Sequence, residues 1–286
     1  MSEDFGPLVA THWLAAHLQD PDLRILDCTM RLVPHEGRVR PEGTREDWAR
    51  GHIPGSAYVD LLAELSDRQS PLPLMMPPAA QFADAMGALG IDRQSRVVLY
   101  DSANHAWATR VWWMFRAVGF DQAAVLDGGL ARWKAEGRPL STAPSPHAAT
   151  QFVPFRRPGV FVDRRVVQAA MGRADTKLVN ALGADEHAGR VSRAARPGRI
   201  PGSVNVPAAS LVEAPPGGFL PHDQLRERFA TSGALEAPRV IVYCGGGISA
   251  TADAFSLIRL GAKDVAVYDG SLAEWSADPT LPLETD

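Results

Sequence analysis

Two tandem α/β domains, each a parallel sheet flanked by helices, are what this 286-residue sequence predicts. Three observations carry the prediction. Short apolar runs alternate with segments of helical period in both halves. Three blocks of residues recur in the same order. One of them ends in a cysteine followed by three glycines, at a step from strand to helix. Short strands that are apolar on both faces and separated by helices belong to a parallel sheet covered on both sides.

The elements follow in chain order. In the first half, Leu23–Asp27, Arg96–Tyr100 and Ala123–Leu126 read as strands, rich in leucine and valine. Gln81–Leu89 has the helical period, as does Ala106–Val118, which Trp112, Trp113 and Phe115 make strongly apolar. In the second half, Lys177–Val179, Val204–Val206, Val240–Tyr243 and Val265–Tyr268 read as strands, and Asp223–Ser232 and Ser249–Leu260 as helices. In such sheets ligands bind at the carboxyl ends of the strands.

The repeat divides the chain. Ile53-Pro54-Gly55-Ser56 recurs as Ile200-Pro201-Gly202-Ser203, an offset of 147. Val97–Tyr100 matches Val240–Tyr243 at 143, and Asp127–Trp133 matches Asp269–Trp275 at 142. A repeat this long is a duplicated domain rather than a solenoid unit. The stretch from Gly137 to Gly159, rich in proline, serine and alanine, reads as the join. The expected layout is a first domain at 1–140, a linker at 141–159 and a second domain at 160–286.

Composition sets limits. With 45% hydrophobic and 22% charged residues, each half can bury a core. A formal net charge of −4 gives no reason to expect nucleic acid or an anionic membrane surface as partner. No apolar run is long enough to cross a bilayer. Met1-Ser2-Glu3-Asp4 opens acidic, without the basic and apolar regions of a signal peptide. The two cysteines, Cys28 and Cys244, lie one in each half, too few for a disulfide-held exported fold, so the reducing cytoplasm is the expected compartment. Nothing in the sequence calls for a metal or cofactor.

Cys244 is the candidate nucleophile. It ends the strand Val240–Tyr243 and precedes Gly245, Gly246, Gly247, Ile248, Ser249 and Ala250, where a helix begins. Backbone N–H groups of such a loop and the positive end of a helix together stabilise a thiolate, and glycines permit the dihedrals that a nest of amides needs. Ser249 is placed to cap the helix. In the first half, Asp101 follows Tyr100 where the second half has cysteine. Cys28 has no such context and reads as structural. Gly245-x-Gly247-x-x-Ala250 also fits a dinucleotide fingerprint, but only 17 residues follow Asp269, too few for the remaining βα units. A cysteine phosphatase loop would need an arginine six residues after the cysteine, and Ala250 stands there.

These motifs resemble the two-domain rhodanese sulfurtransferases across nearly the whole chain. The resemblance rests on Gly51-His52-Ile53-Pro54-Gly55, Arg110-Val111-Trp112-Trp113-Met114-Phe115-Arg116, Asp127-Gly128-Gly129-Leu130 and the Cys244-Gly-x-Gly loop. It implies a pair of rhodanese-like domains, the first catalytically silent with Asp101 at the vacated position. It also implies that Cys244 accepts sulfane sulfur from a small donor and passes it to a thiol, cyanide or thioredoxin-type acceptor, with Gly245 to Ala250 cradling the persulfide. Family members that prefer thiosulfate carry cations after the cysteine; those that prefer 3-mercaptopyruvate have a neutral Cys-Gly-Ser-Gly loop. The neutral Cys-Gly-Gly-Gly here favours 3-mercaptopyruvate, although Gly246 lacks the family's serine hydroxyl and Ser249 stands where threonine is usual.

A carboxylate clamp is expected from the loop holding Arg190, Arg193, Arg196 and Arg199. Arg196 is the first choice by resemblance, Arg190 the second, and Arg199 stands where the family commonly has histidine. His52 aligns with the family's first-domain histidine, with Asp47 or Glu42 near enough in sequence to orient it. Two other readings stay open: a thiosulfate:cyanide sulfurtransferase, and a non-catalytic sulfur carrier or binding module. A binding module would ordinarily lose the cysteine from both halves, whereas a sulfur carrier would keep Cys244 and depend on a protein partner.

Overall fold

The computed structural model describes residues 5–35 and 38–286. Met1–Asp4, read above for targeting, lie outside the described residues. The chain divides into two units. Unit 1 takes Met1–Gln69, Met76–Arg157 and Glu213–Phe219; unit 2 takes Ser70–Met75, Pro158–Val212 and Leu220–Asp286.

Unit 1 runs through β1 (Leu8–Val9), α1 (Thr11–His17), β2 (Leu23–Asp27), β3 (Met30–His35), β4 (Arg38–Gly43), α2 (Arg45–Arg50), β5 (Ser56–Tyr58), α3 (Ala79–Ala88), β6 (Arg96–Tyr100), α4 (Ala106–Ala117), β7 (Ala123–Leu126) and α5 (Gly129–Ala135). Five strands form a sheet in the order β1-β7-β6-β2-β5, every neighbouring pair parallel. The apolar residues of β2, β6 and β7 are buried, as a sheet covered on both faces requires. Every residue of α4 but Arg116 is buried. Strands β3 and β4 make a separate antiparallel hairpin that the sequence reading did not anticipate.

Unit 2 repeats the plan with β8 (Phe161–Val162), α6 (Arg164–Ala170), β9 (Thr176–Asn180), α7 (Ala184–His187), β10 (Val204–Asn205), α8 (His222–Ala230), β11 (Arg239–Tyr243), α9 (Ala250–Arg259), β12 (Val265–Tyr268) and α10 (Ser271–Trp275). Its sheet order is β10-β9-β11-β12-β8, again all parallel, with Leu178, Ile241 and Ala266 in register. Asp163 starts α6 by accepting the Val166 amide at 3.0 Å. The predicted central elements are all present, with ends displaced by up to two residues; α3, for example, starts at Ala79, directly after Pro78.

The two cores share a matching trio. Trp133 packs with Tyr100 and Ile53 in unit 1, and Trp275 with Tyr243 and Ile200 in unit 2. Each indole N–H finds a carbonyl at 2.8 Å, Pro139 for Trp133 and Pro282 for Trp275. Truncating either to alanine removes about 3–5 kcal/mol. The stretch read as a linker is tied to unit 1 as far as Arg157. Thr150 N donates to Gly87 O, Phe155 N to Val118 O, and Phe152 is buried beside Phe82, Phe115 and Phe120.

Candidate active site

Cys244 follows β11, a central strand of the unit 2 sheet, and stands at its carboxyl end. Its side chain is buried, with 2% of the residue exposed. Both of its backbone polar groups are held by the start of α10: Cys244 N donates to Ser271 Oγ at 3.1 Å, and Leu272 N donates to Cys244 O at 3.0 Å. Ala273 N takes the next carbonyl, that of Gly245, at 2.8 Å. Of the glycines, only Gly247 uses the left-handed region, at φ +75°. Gly245 and Gly246 serve differently: a Cβ on either would meet nothing within 4 Å, so the loop leaves open space after the sulfur-bearing residue. Ser249 occupies the position before α9, but its side chain makes no capping hydrogen bond, because its backbone is already helical (φ −57°, ψ −32°). The expected Ser249 cap is therefore absent.

The first-half counterpart shows what this backbone trace can hold. Tyr100 O accepts from Cys28 N, as Tyr243 O accepts from Ala181 N, both at 2.8 Å. Leu130 N donates to Asp101 O at 3.1 Å, as Leu272 N does to Cys244 O. Tyr100 and Tyr243 hydroxyls each accept an amide, Ile53 N and Ile200 N respectively, and each pairs with a serine, Ser56 at 2.9 Å and Ser203 at 2.6 Å. At the cysteine-equivalent position the Asp101 carboxylate turns into its own loop. Oδ1 accepts Ala103 N at 2.9 Å and His105 N at 3.1 Å, while Oδ2 accepts Trp107 N at 3.1 Å and Ala108 N at 3.0 Å. Four amides thus converge on one anion. The second-half loop is one residue shorter: left-handed His105 (φ +67°) matches Gly247 (φ +75°), and the Thr109 hydroxyl on Ala106 O matches the Thr251 hydroxyl on Ile248 O, so the His105, Trp107 and Ala108 amides correspond to those of Gly247, Ser249 and Ala250.

The arginines separate by what holds them. Arg196 donates from Nε to Ser276 O at 2.9 Å and from Nη2 to Asp278 O at 2.6 Å and Leu281 O at 2.9 Å. It therefore closes the carbonyl end of α10, the short helix whose opposite end holds Cys244. Arg190 is exposed and pairs with Asp185 at 2.7 Å; Arg193 is exposed, 4.0 Å from Glu186. Arg199 is half-buried, between Asp286 at 2.7 Å and Glu284 at 3.5 Å.

His52 is fully buried in unit 1. Its Nδ1 meets Trp48 O at 2.8 Å, its Nε2 meets Ala143 O at 3.2 Å, and its ring stacks on Trp48 at 4.1 Å. Backbone carbonyls orient it, not the carboxylates expected from sequence. Asp47 is engaged by Arg31 and Arg50, and Glu42 lies 3.7 Å from Arg40. Asp27 fastens its own loop through the Thr29 amide at 2.9 Å and the Thr29 hydroxyl at 2.5 Å, and burial pushes its carboxyl up. Beside it a cavity of about 400 Å³ is lined by Thr29, Thr44, Trp48, Ser102 and Lys134.

The duplicated α/β plan with one cysteine-bearing loop agrees with the family comparison. A model of the rhodanese-like domain matches the chain twice, over residues 10–136 and 164–278. The chain belongs to the rhodanese-like family. Among curated relatives, the 3-mercaptopyruvate sulfurtransferase of Escherichia coli (strain K12) is 33% identical, covering 96% of this chain and 97% of that protein. The mitochondrial thiosulfate/3-mercaptopyruvate sulfurtransferase 1 of Arabidopsis thaliana is also 33% identical, over 98% of this chain and 78% of its own length. Among solved structures, SseA from Escherichia coli, described as a 3-mercaptopyruvate sulfotransferase, superposes with a TM-score of 0.82 at 32% identity, covering 93% of this chain and 98% of that one.

Two features of the second rhodanese-like half had no sequence signal. Ser271 is read from sequence only as part of a repeated block, yet its hydroxyl takes the Cys244 amide. Asp253, on α9, is fully buried and neither carboxylate oxygen has a hydrogen-bond partner, so burial pushes its carboxyl well above the usual range. An aspartate four residues into a helix ordinarily signals a solvated face. Cys28 is fully buried as expected, and burial likewise pushes its thiol well up. Both cysteines are free. Among the described residues no helix is long and apolar enough to cross a membrane.

Proposed function

We propose that this chain is a sulfurtransferase that carries sulfur on Cys244 as a persulfide and draws it from 3-mercaptopyruvate. The Cys244 thiolate attacks the donor's mercapto sulfur. An S–S bond forms as the donor's C–S bond breaks, and the electron pair leaves on carbon as the enolate of pyruvate, which takes up a proton. A thiophilic acceptor, a thiol, cyanide or a thioredoxin-type dithiol, then attacks the outer sulfur and Cys244 returns as thiolate. The loop from Gly245 to Ala250 holds the charged sulfur through backbone amides.

The observation that carries this reading is Asp101. The loop that gathers four amides around a carboxylate in the first half has a counterpart, one residue shorter, after Cys244, which supports an amide-lined setting for a thiolate there. Loop neutrality and the names of the relatives support 3-mercaptopyruvate over thiosulfate. With no cation between Cys244 and Ala250, a doubly charged donor has poor compensation beside the sulfur, whereas a 2-oxo acid can place its single carboxylate on an arginine farther off. Arg190, exposed and held by surface ion pairs to Asp185 and Asp286, is the more available clamp; Arg196 has Nη1 left to offer. His52, held on both ring nitrogens, contributes by shaping unit 1. Two free cysteines suit a reducing compartment, the cytoplasm. The test is a side-by-side rate comparison. Faster turnover of 3-mercaptopyruvate than of thiosulfate is expected; a clear preference for thiosulfate would replace the donor.

A further inference from the structure

Ser271 lies in the repeated block Asp269–Trp275 at the position Gly129 occupies in the first half. Both have positive φ, +52° at Gly129 and +48° at Ser271. Glycine reaches that region freely, whereas a residue with a Cβ is strained there. In the first half glycine is obligatory, since a Cβ would lie 2.3 Å from Asp101 O. The second half carries a serine instead, fully buried. Its hydroxyl donates to Tyr268 O at 2.8 Å and accepts the Cys244 amide at 3.1 Å. Backbone strain kept beside a reactive group calls for a function.

We propose that Ser271 is a positioning residue for sulfur transfer: its hydroxyl and the adjacent Leu272 amide grip the N–H and C=O of Cys244 and fix the direction of its Cα–Cβ bond. The two contacts come from successive residues at the start of α10, so Cys244 is held on both sides of its Cα by one rigid piece. The silent half needs no such grip, because Asp101 is fixed through its own carboxylate. A nucleophile displaced by about 1 Å loses up to about a hundredfold in rate. The proposal rests on the reading of Cys244 as the sulfur carrier.

Two variants test it. Ser271→Gly removes the hydroxyl and relieves the strain; Ser271→Ala removes the hydroxyl and keeps the strain. Steady-state kinetics on the donor that the wild type uses, with melting temperatures, are the readouts. Both variants are expected to lose about tenfold in kcat with KM within about twofold, because Ser271 steers the nucleophile without touching the donor. Ser271→Gly should melt within about 4 °C of the wild type. A kcat within about twofold of wild type in either variant, a loss confined to KM, or activity that falls only as fast as the folded fraction would each overturn the proposal. A wild type that gains no sulfur on Cys244 would instead remove the underlying reading, before any variant is compared.

Discussion

Replacing Asp101 with alanine tests whether an anion organises the first-half loop. The carboxylate is 2% exposed and accepts four amides at 2.9–3.1 Å. Hydrogen bonds to a charged group contribute about 1.5–3 kcal/mol each, but burying the carboxylate offsets much of that sum. Removing it also strands the amides of His105, Trp107 and Ala108, all buried residues. The net loss, by analogy with breaking a buried charge pair, is about 3–5 kcal/mol. Six of the seven tryptophans, Trp13, Trp48, Trp107, Trp112, Trp113 and Trp133, fall in unit 1, so tryptophan fluorescence in urea reports on the right unit. Formate matches the deleted group and should restore part of the loss, because binding to the folded form alone stabilises it. Asp101→Asn should fare little better than alanine, since its NH₂ would face amide donors. A loss below about 1 kcal/mol with no response to formate would refute the nest.

Three further outcomes follow from the same geometry. Asp253 has a folded pKa raised by burial, so the folded form keeps a proton that the unfolded form releases near pH 4. Wild-type stability should then fall as pH rises above that value, and Asp253→Asn should be more stable by about 1–3 kcal/mol at pH 7 and converge with wild type below pH 4, as read by denaturant melts across pH. Arg196→Ala should destabilise unit 2 by about 2–3 kcal/mol by freeing the carbonyls after α10. Arg190→Ala should leave stability within about 0.5 kcal/mol and cut kcat/KM for 3-mercaptopyruvate about tenfold to a hundredfold. Equal kcat/KM in Arg190→Ala and wild type would remove that clamp.

The parts of the fold legible in the sequence are those whose signal is local. Val97–Tyr100 and Val265–Tyr268 are unbroken apolar runs, and the repeat places their partners. Strands β1 and β8 have two residues each, too short for any period, and exist because a neighbouring strand offers its edge. The hairpin β3–β4 has mostly exposed residues, so no apolar alternation marks it. Cys244 was legible because strand, thiol and glycines are contiguous. Asp101 read only as a missing cysteine, since the convergence of amides up to seven residues downstream is a property of the folded loop. Arg196 read as a clamp from motif position, and whether a guanidinium meets a substrate or a helix end depends on chain 80 residues away. Ser271 was hidden because serine rarely adopts positive φ.

The measurement that bears most directly on the account is the mass of the protein after incubation with 3-mercaptopyruvate and removal of excess donor. Cys244 alone ends a central strand at a loop with open space beside it, whereas the Cys28 thiol is buried and pushed well above its ordinary pKa. Intact mass should rise by one sulfur atom, a peptide map should place it on Cys244, and Cys244→Ser should neither gain the atom nor turn over. Sulfur found on Cys28, or full turnover by Cys244→Ser, would contradict the account.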